Sequence, residues 1–139
     1  VPTKSYTIPL GEAKIVQEGE DVTLIAWGSM VVTAKKAISM QKHSVELIDL
    51  RTIKPMDTET IIKSIEKTGR CVIVHEAPMT GGMGAEIIAR INEKALLSLE
   101  APVVRVTGFD TIVPLAKLEN DYLPSAERVV AGIEKVMSF

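Results

Sequence analysis

Arg70-Cys71-Val72-Ile73-Val74-His75-Glu76-Ala77-Pro78-Met79-Thr80-Gly81-Gly82-Met83-Gly84 decides the fold. Its first five residues are apolar and β-branched enough for a buried strand, predicted over Cys71 to Val74. From about Gly84 to Leu97 the apolar residues fall at 87, 88, 91, 95 and 96, roughly one face of a helix. A polar, glycine-rich loop between a buried strand and a helix is where open α/β domains place their working surface.

The same alternation extends in both directions. Upstream, Val22 to Trp27 and Val45 to Leu50 read as strands. Gly28-Ser29 opens a helix to about Met40, with Ser29 as N-cap. Asp57 caps a helix from about Thr58 to Lys67, Glu59 complements its positive end, and Gly69 stops it. Downstream, Val103 to Val106 is a strand, and Ser125 opens a last helix to about Met137. Lys14 to Val16 is expected to form an antiparallel hairpin with the Val22 strand across Glu18-Gly19-Glu20. Strands alternating with helices of 10 to 15 residues imply right-handed crossovers. The expected fold is α/β: a three-layer open sheet, mostly parallel with one antiparallel edge strand, and helices on both faces.

The chain has 139 residues, 46% of them hydrophobic, which suits one domain with a real core over 14–139. Residues 1–13 read as a linker or trimmed segment, since Val1 is no initiator methionine and Lys4 to Gly11 lacks periodicity. Net charge is −2 and the 16 basic residues are scattered, so no nucleic-acid footprint is expected. No apolar run approaches the roughly 20 residues of a membrane span. The expected setting is cytoplasmic, or the mitochondrial matrix in a eukaryote. The one cysteine, Cys71, reads as a small buried hydrophobe.

Three strand ends supply the chemical candidates. His75, beside Glu76, suits a general acid or base, or a hydrogen bond to a loop or partner. Arg51 follows the Val45 strand, where a guanidinium clamps an anion, joins an interface pair or ties loops together. Asp110 follows the Val103 strand as an acceptor. Gly81-Gly82-Met83-Gly84 offers backbone amides to a phosphate, or is glycine because positive φ or close packing demands it. It lacks a P-loop lysine, and Glu86 would repel an anion. His43 reads as solvated surface. Phe109, Ile112, Leu115, Leu118 and Tyr122 dot a stretch without clear helical period, a pattern suited to a partner contact.

Six short runs, in order, carry a family resemblance. They are Glu18-Gly19-x-Asp21-Val22-Thr23, Trp27-Gly28-Ser29-Met30, Asp49-Leu50-Arg51-Thr52-Ile53-x-Pro55-x-Asp57, His75-Glu76-Ala77-Pro78-x-Thr80-Gly81-Gly82, Leu99-Glu100-Ala101-Pro102 and Asp110-Thr111-x-x-Pro114. Together they resemble the C-terminal domain of transketolase-like thiamine enzymes. More narrowly, they resemble the beta subunit of the decarboxylating component of 2-oxoacid dehydrogenase complexes, with His-Glu-Ala-Pro leaning toward the branched-chain type over the pyruvate type. The resemblance implies an alpha2beta2 enzyme that oxidatively decarboxylates a 2-oxoacid and acylates a lipoyl group. Thiamine diphosphate and magnesium then belong to the complete enzyme, none being bound by this chain, which alone is expected to be inactive. Implied partners are an alpha subunit, a second beta subunit and the subunit-binding domain of a dihydrolipoyl acyltransferase. By the same resemblance Glu100 and the carboxylate of Phe139 serve docking, while Arg51, His75 and Asp110 lie on loops facing neighbouring subunits. The alternatives are the equivalent domain of transketolase or deoxyxylulose-phosphate synthase, and a free-standing flavodoxin-like module holding a nucleotide at the glycine loop.

Overall fold

A computed structural model describes residues 3–139. Five strands, β1 (Lys14–Gln17), β2 (Val22–Ala26), β3 (Val45–Asp49), β4 (Cys71–Pro78) and β5 (Val104–Gly108), form one sheet in the order β1-β3-β2-β4-β5. The last four run parallel, and β1 lies antiparallel on the edge. The helices are α1 (Met30–Ile38), α2 (Thr58–Thr68), α3 (Met83–Ala95), the single turn α4 (Glu119–Tyr122) and α5 (Ala126–Met137). This is the three-layer α/β fold expected.

Each strand divides its side chains between two cores. Val22, Leu24, Leu47, Val72, Val74 and Val106 face α1 and α5, where Ala34, Ala37, Val129, Ile133 and Val136 meet them. Ile25, Ile48, Cys71 and Ile73 face α2 and α3 against Ile61, Ile65, Ile87 and Ile91. Each of these isoleucines is wholly buried, worth about 1.5–3 kcal/mol apiece relative to exposure. Burial drives the Cys71 thiol pKa far up, so it packs as a hydrophobe.

The α2 side also buries a set of hydroxyls and a carboxylate that pair with one another or with Lys67. Thr23 Oγ1 lies 2.6 Å from Ser64 Oγ and 2.7 Å from Thr68 Oγ1. Burial alone pushes the Glu46 carboxyl up, but hydrogen bonds from Lys67 and Ser64 outweigh it and hold the pKa below the ordinary value.

Helix α2 starts and stops as its sequence dictates. Asp57 accepts from the Thr60 amide at 3.0 Å, and Gly69, at φ +67°, returns its N–H to the Ile65 carbonyl. Asp57 also receives the Ala13 N–H at 2.9 Å, tethering the entering chain. Residues 3–13 form no helix or strand. The expected linker starts at Val1 and Pro2, which lie outside the described residues.

Four expectations need correction. β1 does not form a hairpin with β2, because both edges of β2 are taken by parallel partners, β3 and β4. The chain instead crosses the amino end of β3, where a Cβ on Gly19 would lie 2.1 Å from the Val45 carbonyl carbon. Only glycine fits there, and β1 pairs with β3. Ser29 does not cap α1; its hydroxyl donates to Glu76 across the sheet edge. β4 continues to Pro78, so His75 lies inside the strand. His43 is mostly covered, its side chain 18% exposed with Nε2 3.3 Å from Glu134.

Candidate functional site

Parallel strands put their carboxyl ends on one edge of the sheet, and Arg51, His75 and Asp110 all stand there. Successive strands part in opposite directions between β2 and β4, the switch point where open α/β sheets form a crevice. A cleft of about 290 Å³ opens at that place, lined by Trp27, Gly28, Ser29, His75, Glu76, Ala77 and Met83.

His75 forms the floor of that edge. It is 1% exposed, and its ring stacks on Trp27 with centroids 5.4 Å apart and planes 19° from parallel. Neither ring nitrogen has a hydrogen-bond partner. Burial lowers its pKa and the Arg105 charge adds to the effect; the Ala77 backbone opposes them without closing a hydrogen bond. The imidazole is therefore neutral near pH 7. Buried this way, His75 supports the edge from beneath and presents no surface to a neighbouring subunit.

The glycine loop explains the burial. A Cβ on Gly82 would sit 2.3 Å from the Pro78 carbonyl oxygen and 2.6 Å from His75 Cε1. One on Gly84 would sit 2.7 Å from His75 Nε2. Close packing, the second of the two sequence readings, accounts for these glycines. The imidazole packs against Gly82 and Gly84, whereas Gly81, at φ +72°, is exposed with nothing within 4 Å of where a Cβ would lie.

Asp110 does not stand free. Its carboxylate accepts from the Thr80 amide at 2.9 Å and the Thr80 hydroxyl at 2.6 Å, bonds that hold its pKa below the ordinary value. It thus ties the loop after β5 to the loop after β4. Arg105 Nη1 donates to the Met79 carbonyl at 2.9 Å, a second tie on the same loop. Arg128 Nη2 donates to the Thr107 carbonyl at 2.6 Å, and its guanidinium lies 4.6 Å over the Phe109 ring. Beyond these anchors Ile112 and Leu115 are 91% and 92% exposed. Arg51 is exposed and holds φ +57°, rare for a side-chain-bearing residue, with its amide donating to Asp49 Oδ1 at 3.0 Å.

Glu100 and Phe139 lie at the opposite edge. Glu100 precedes β5 at its amino end, and α5 runs back from the carboxyl edge to end near Phe139. The contact of His43, just before β3, with Glu134 fixes that direction. Glu100 Oε2 pairs with Arg70 Nη1 at 2.7 Å, and Phe139 is 70% exposed. The structure therefore separates the five candidates into two groups: Arg51, His75 and Asp110 at one edge, Glu100 and Phe139 at the other. Sequence reasoning missed Trp27, Arg105 and Arg128, whose roles depend on partners 48, 26 and 21 positions away. An arginine inside a strand pattern, as Arg105 is, was the available signal.

Among the described residues no three of His, Cys, Asp and Glu are grouped to hold a metal ion. No step of thiamine chemistry is assigned to this chain. Among the described residues, too, no helix is long and apolar enough to cross a membrane.

A doubly wound sheet with this glycine loop, and a family model matching residues 11–129, place the chain in the transketolase C-terminal domain family, to which it belongs. Within that family it is similar to beta subunits of 2-oxoacid dehydrogenases. It is 48% identical to the pyruvate dehydrogenase E1 component subunit beta of Acholeplasma laidlawii, over 98% of this chain and 42% of that relative. It is 49% identical to the mitochondrial 2-oxoisovalerate dehydrogenase subunit beta of Dictyostelium discoideum, over all of this chain and 38% of the relative. A solved split-gene transketolase, an inactive beta4 tetramer, superposes with a TM-score of 0.82 at 27% identity, covering 96% of this chain and 43% of that one. The chain thus spans about two fifths of the length of the curated relatives it matches.

Proposed function

We propose that this chain is the C-terminal domain of a 2-oxoacid dehydrogenase beta subunit, serving assembly and partner docking. The observation that carries the proposal is identity near one half, along essentially the whole chain, to both pyruvate and 2-oxoisovalerate dehydrogenase beta subunits. Similarity to the split-gene transketolase is lower, at 27%, which favours the dehydrogenase reading over transketolase. In this proposal residues 14–139 are the domain and 1–13 the segment leading into it. The whole enzyme oxidatively decarboxylates a 2-oxoacid and acylates a lipoyl group, in the cytoplasm or the mitochondrial matrix. Thiamine diphosphate and magnesium are held elsewhere in the assembly.

The two-edged layout supports a division of labour. The carboxyl edge, with Arg51, Asp110 and the apolar 109–118 loop, faces alpha and beta subunits. The amino edge, with Glu100 and the Phe139 carboxylate, faces the subunit-binding domain of the acyltransferase. Charge pairs there would set on-rate and specificity more than affinity. Two measurements test this. Titrating the chain with thiamine diphosphate and magnesium in a calorimeter is expected to give no saturable heat. An immobilised acyltransferase subunit-binding domain is expected to capture the chain, and Glu100→Lys to slow that capture. Saturable cofactor binding, or capture indifferent to Glu100→Lys, overturns the reading.

A further inference from the structure

The cleft at the switch point has a chemical character of its own. Its one charged lining group is Glu76, which is exposed and bonded to the Ser29 hydroxyl. Its walls are the half-buried Trp27 and the stacked, unpartnered imidazole of His75. No lysine or arginine lines it. Gly28, at φ +58°, has nothing within 4 Å of where a Cβ would lie, so the mouth is open on that side.

Two helices begin beside the cleft, and helix N-termini ordinarily invite anions. Here that invitation is weakened. The Val31 and Val32 amides already bond the Gly28 and Ser29 carbonyls, and the Ala85 amide bonds Gly82. An anion would also meet the Glu76 carboxylate. A cation meets the Glu76 carboxylate at the rim and the half-buried indole of Trp27. Arg105, the nearby positive group, does not line the cleft and donates to the Met79 carbonyl.

We propose that the cleft between the β2 and β4 carboxyl ends is a binding site for a guanidinium group, with Glu76 as its counter-ion and Trp27 as its stacking wall. A planar guanidinium suits this pairing better than an ammonium, because it bonds a carboxylate through two parallel N–H groups while lying flat on an aromatic ring. The volume admits one side chain. The group arrives either on an arginine of another polypeptide or as free arginine, and the site chemistry is the same for both. The inference stands apart from the proposed enzyme assignment, since it uses only this chain's cleft.

Trp27 is the single tryptophan, so its indole N–H resonance reports on the cleft directly. The full chain is titrated with N-acetylarginine methylamide, N-acetylnorleucine methylamide, free arginine and sodium phosphate. Saturable movement of the Trp27 indole resonance with the arginine amide, and none with norleucine or phosphate, is the expected result. Glu76→Gln is expected to weaken that binding about tenfold, and Glu76→Asp to retain most of it, with dispersed spectra showing both variants folded. Blocked arginine outbinding free arginine identifies a polypeptide side chain as the source; the reverse identifies the free amino acid. No saturable shift, an equal response to norleucine or phosphate, or unchanged affinity in Glu76→Gln overturns the proposal.

Discussion

Replacing Gly84 by alanine pits two opposed effects against each other. Gly84 is the second residue of α3, and alanine there would ordinarily stabilise a helix by about 1 kcal/mol. The added methyl, however, would sit 2.7 Å from His75 Nε2 and 3.1 Å from both His75 Cδ2 and Arg105 Cδ. Arg105 has room to move aside. The imidazole does not, being wholly buried and stacked on Trp27. Overpacking of this kind costs typically 1–3 kcal/mol, so the net loss should be about 1 kcal/mol or somewhat more. With a urea m-value of roughly 1.5 kcal/mol/M, the unfolding midpoint should fall by about 0.7–1 M. Circular dichroism follows the helices and Trp27 fluorescence follows the stack, and the two transitions should coincide. A double-mutant cycle makes the test specific. His75→Val removes the ring atoms that the methyl strikes, so Gly84→Ala in that background should become neutral or stabilising. The coupling should be about 1 kcal/mol or more. A Gly84→Ala protein more stable than the parent, or strictly additive losses, refutes the claim that His75 dictates this glycine.

Three further outcomes are expected. Because burial lowers the His75 pKa in the fold while the unfolded chain titrates near 6.5, the unfolded state binds more protons below that value; stability should therefore fall as pH drops from about 7.5 to 5.5, and His75→Val should flatten that dependence of the urea midpoint. Asp57→Ala removes the cap on α2 and the tether to Ala13, which should cost about 1–2 kcal/mol in urea unfolding. Gly19→Ala forces a methyl into the Val45–Glu46 peptide, so it should cost more than about 3 kcal/mol or prevent folding, whereas Gly28→Ala meets open space and only the strain of positive φ, about 1 kcal/mol; equal losses at the two glycines would contradict the crossing described for β1.

Local signals carried much of the architecture. Asp57 and Gly69 bound α2 where the sequence placed them, because caps depend on residues three or four apart. Alternation of apolar runs with helical periods was enough for a parallel sheet. Strand pairing was less legible. The hairpin expected for β1 rests on a turn that looks suitable in isolation, and it fails because β3 and β4, folded from residues far downstream, occupy both edges of β2. Ser29 shows the same limit: a good N-cap by type, it is drawn away by Glu76, 47 residues on. The strand-end candidates were legible as positions, since the carboxyl ends of parallel strands share an edge. Their states were not. Nothing near His75 in sequence announces Trp27 as its stacking partner, and nothing near Asp110 announces Thr80.

The separation of Arg51 and Asp110 from Glu100 and Phe139 has a mechanical consequence. Five residues of extended chain, the length of β2, β3 and β5, span roughly 17 Å. The sheet therefore sets its two rims about that far apart. A substitution on one rim is therefore expected to leave the other rim's geometry to the stiff sheet between them.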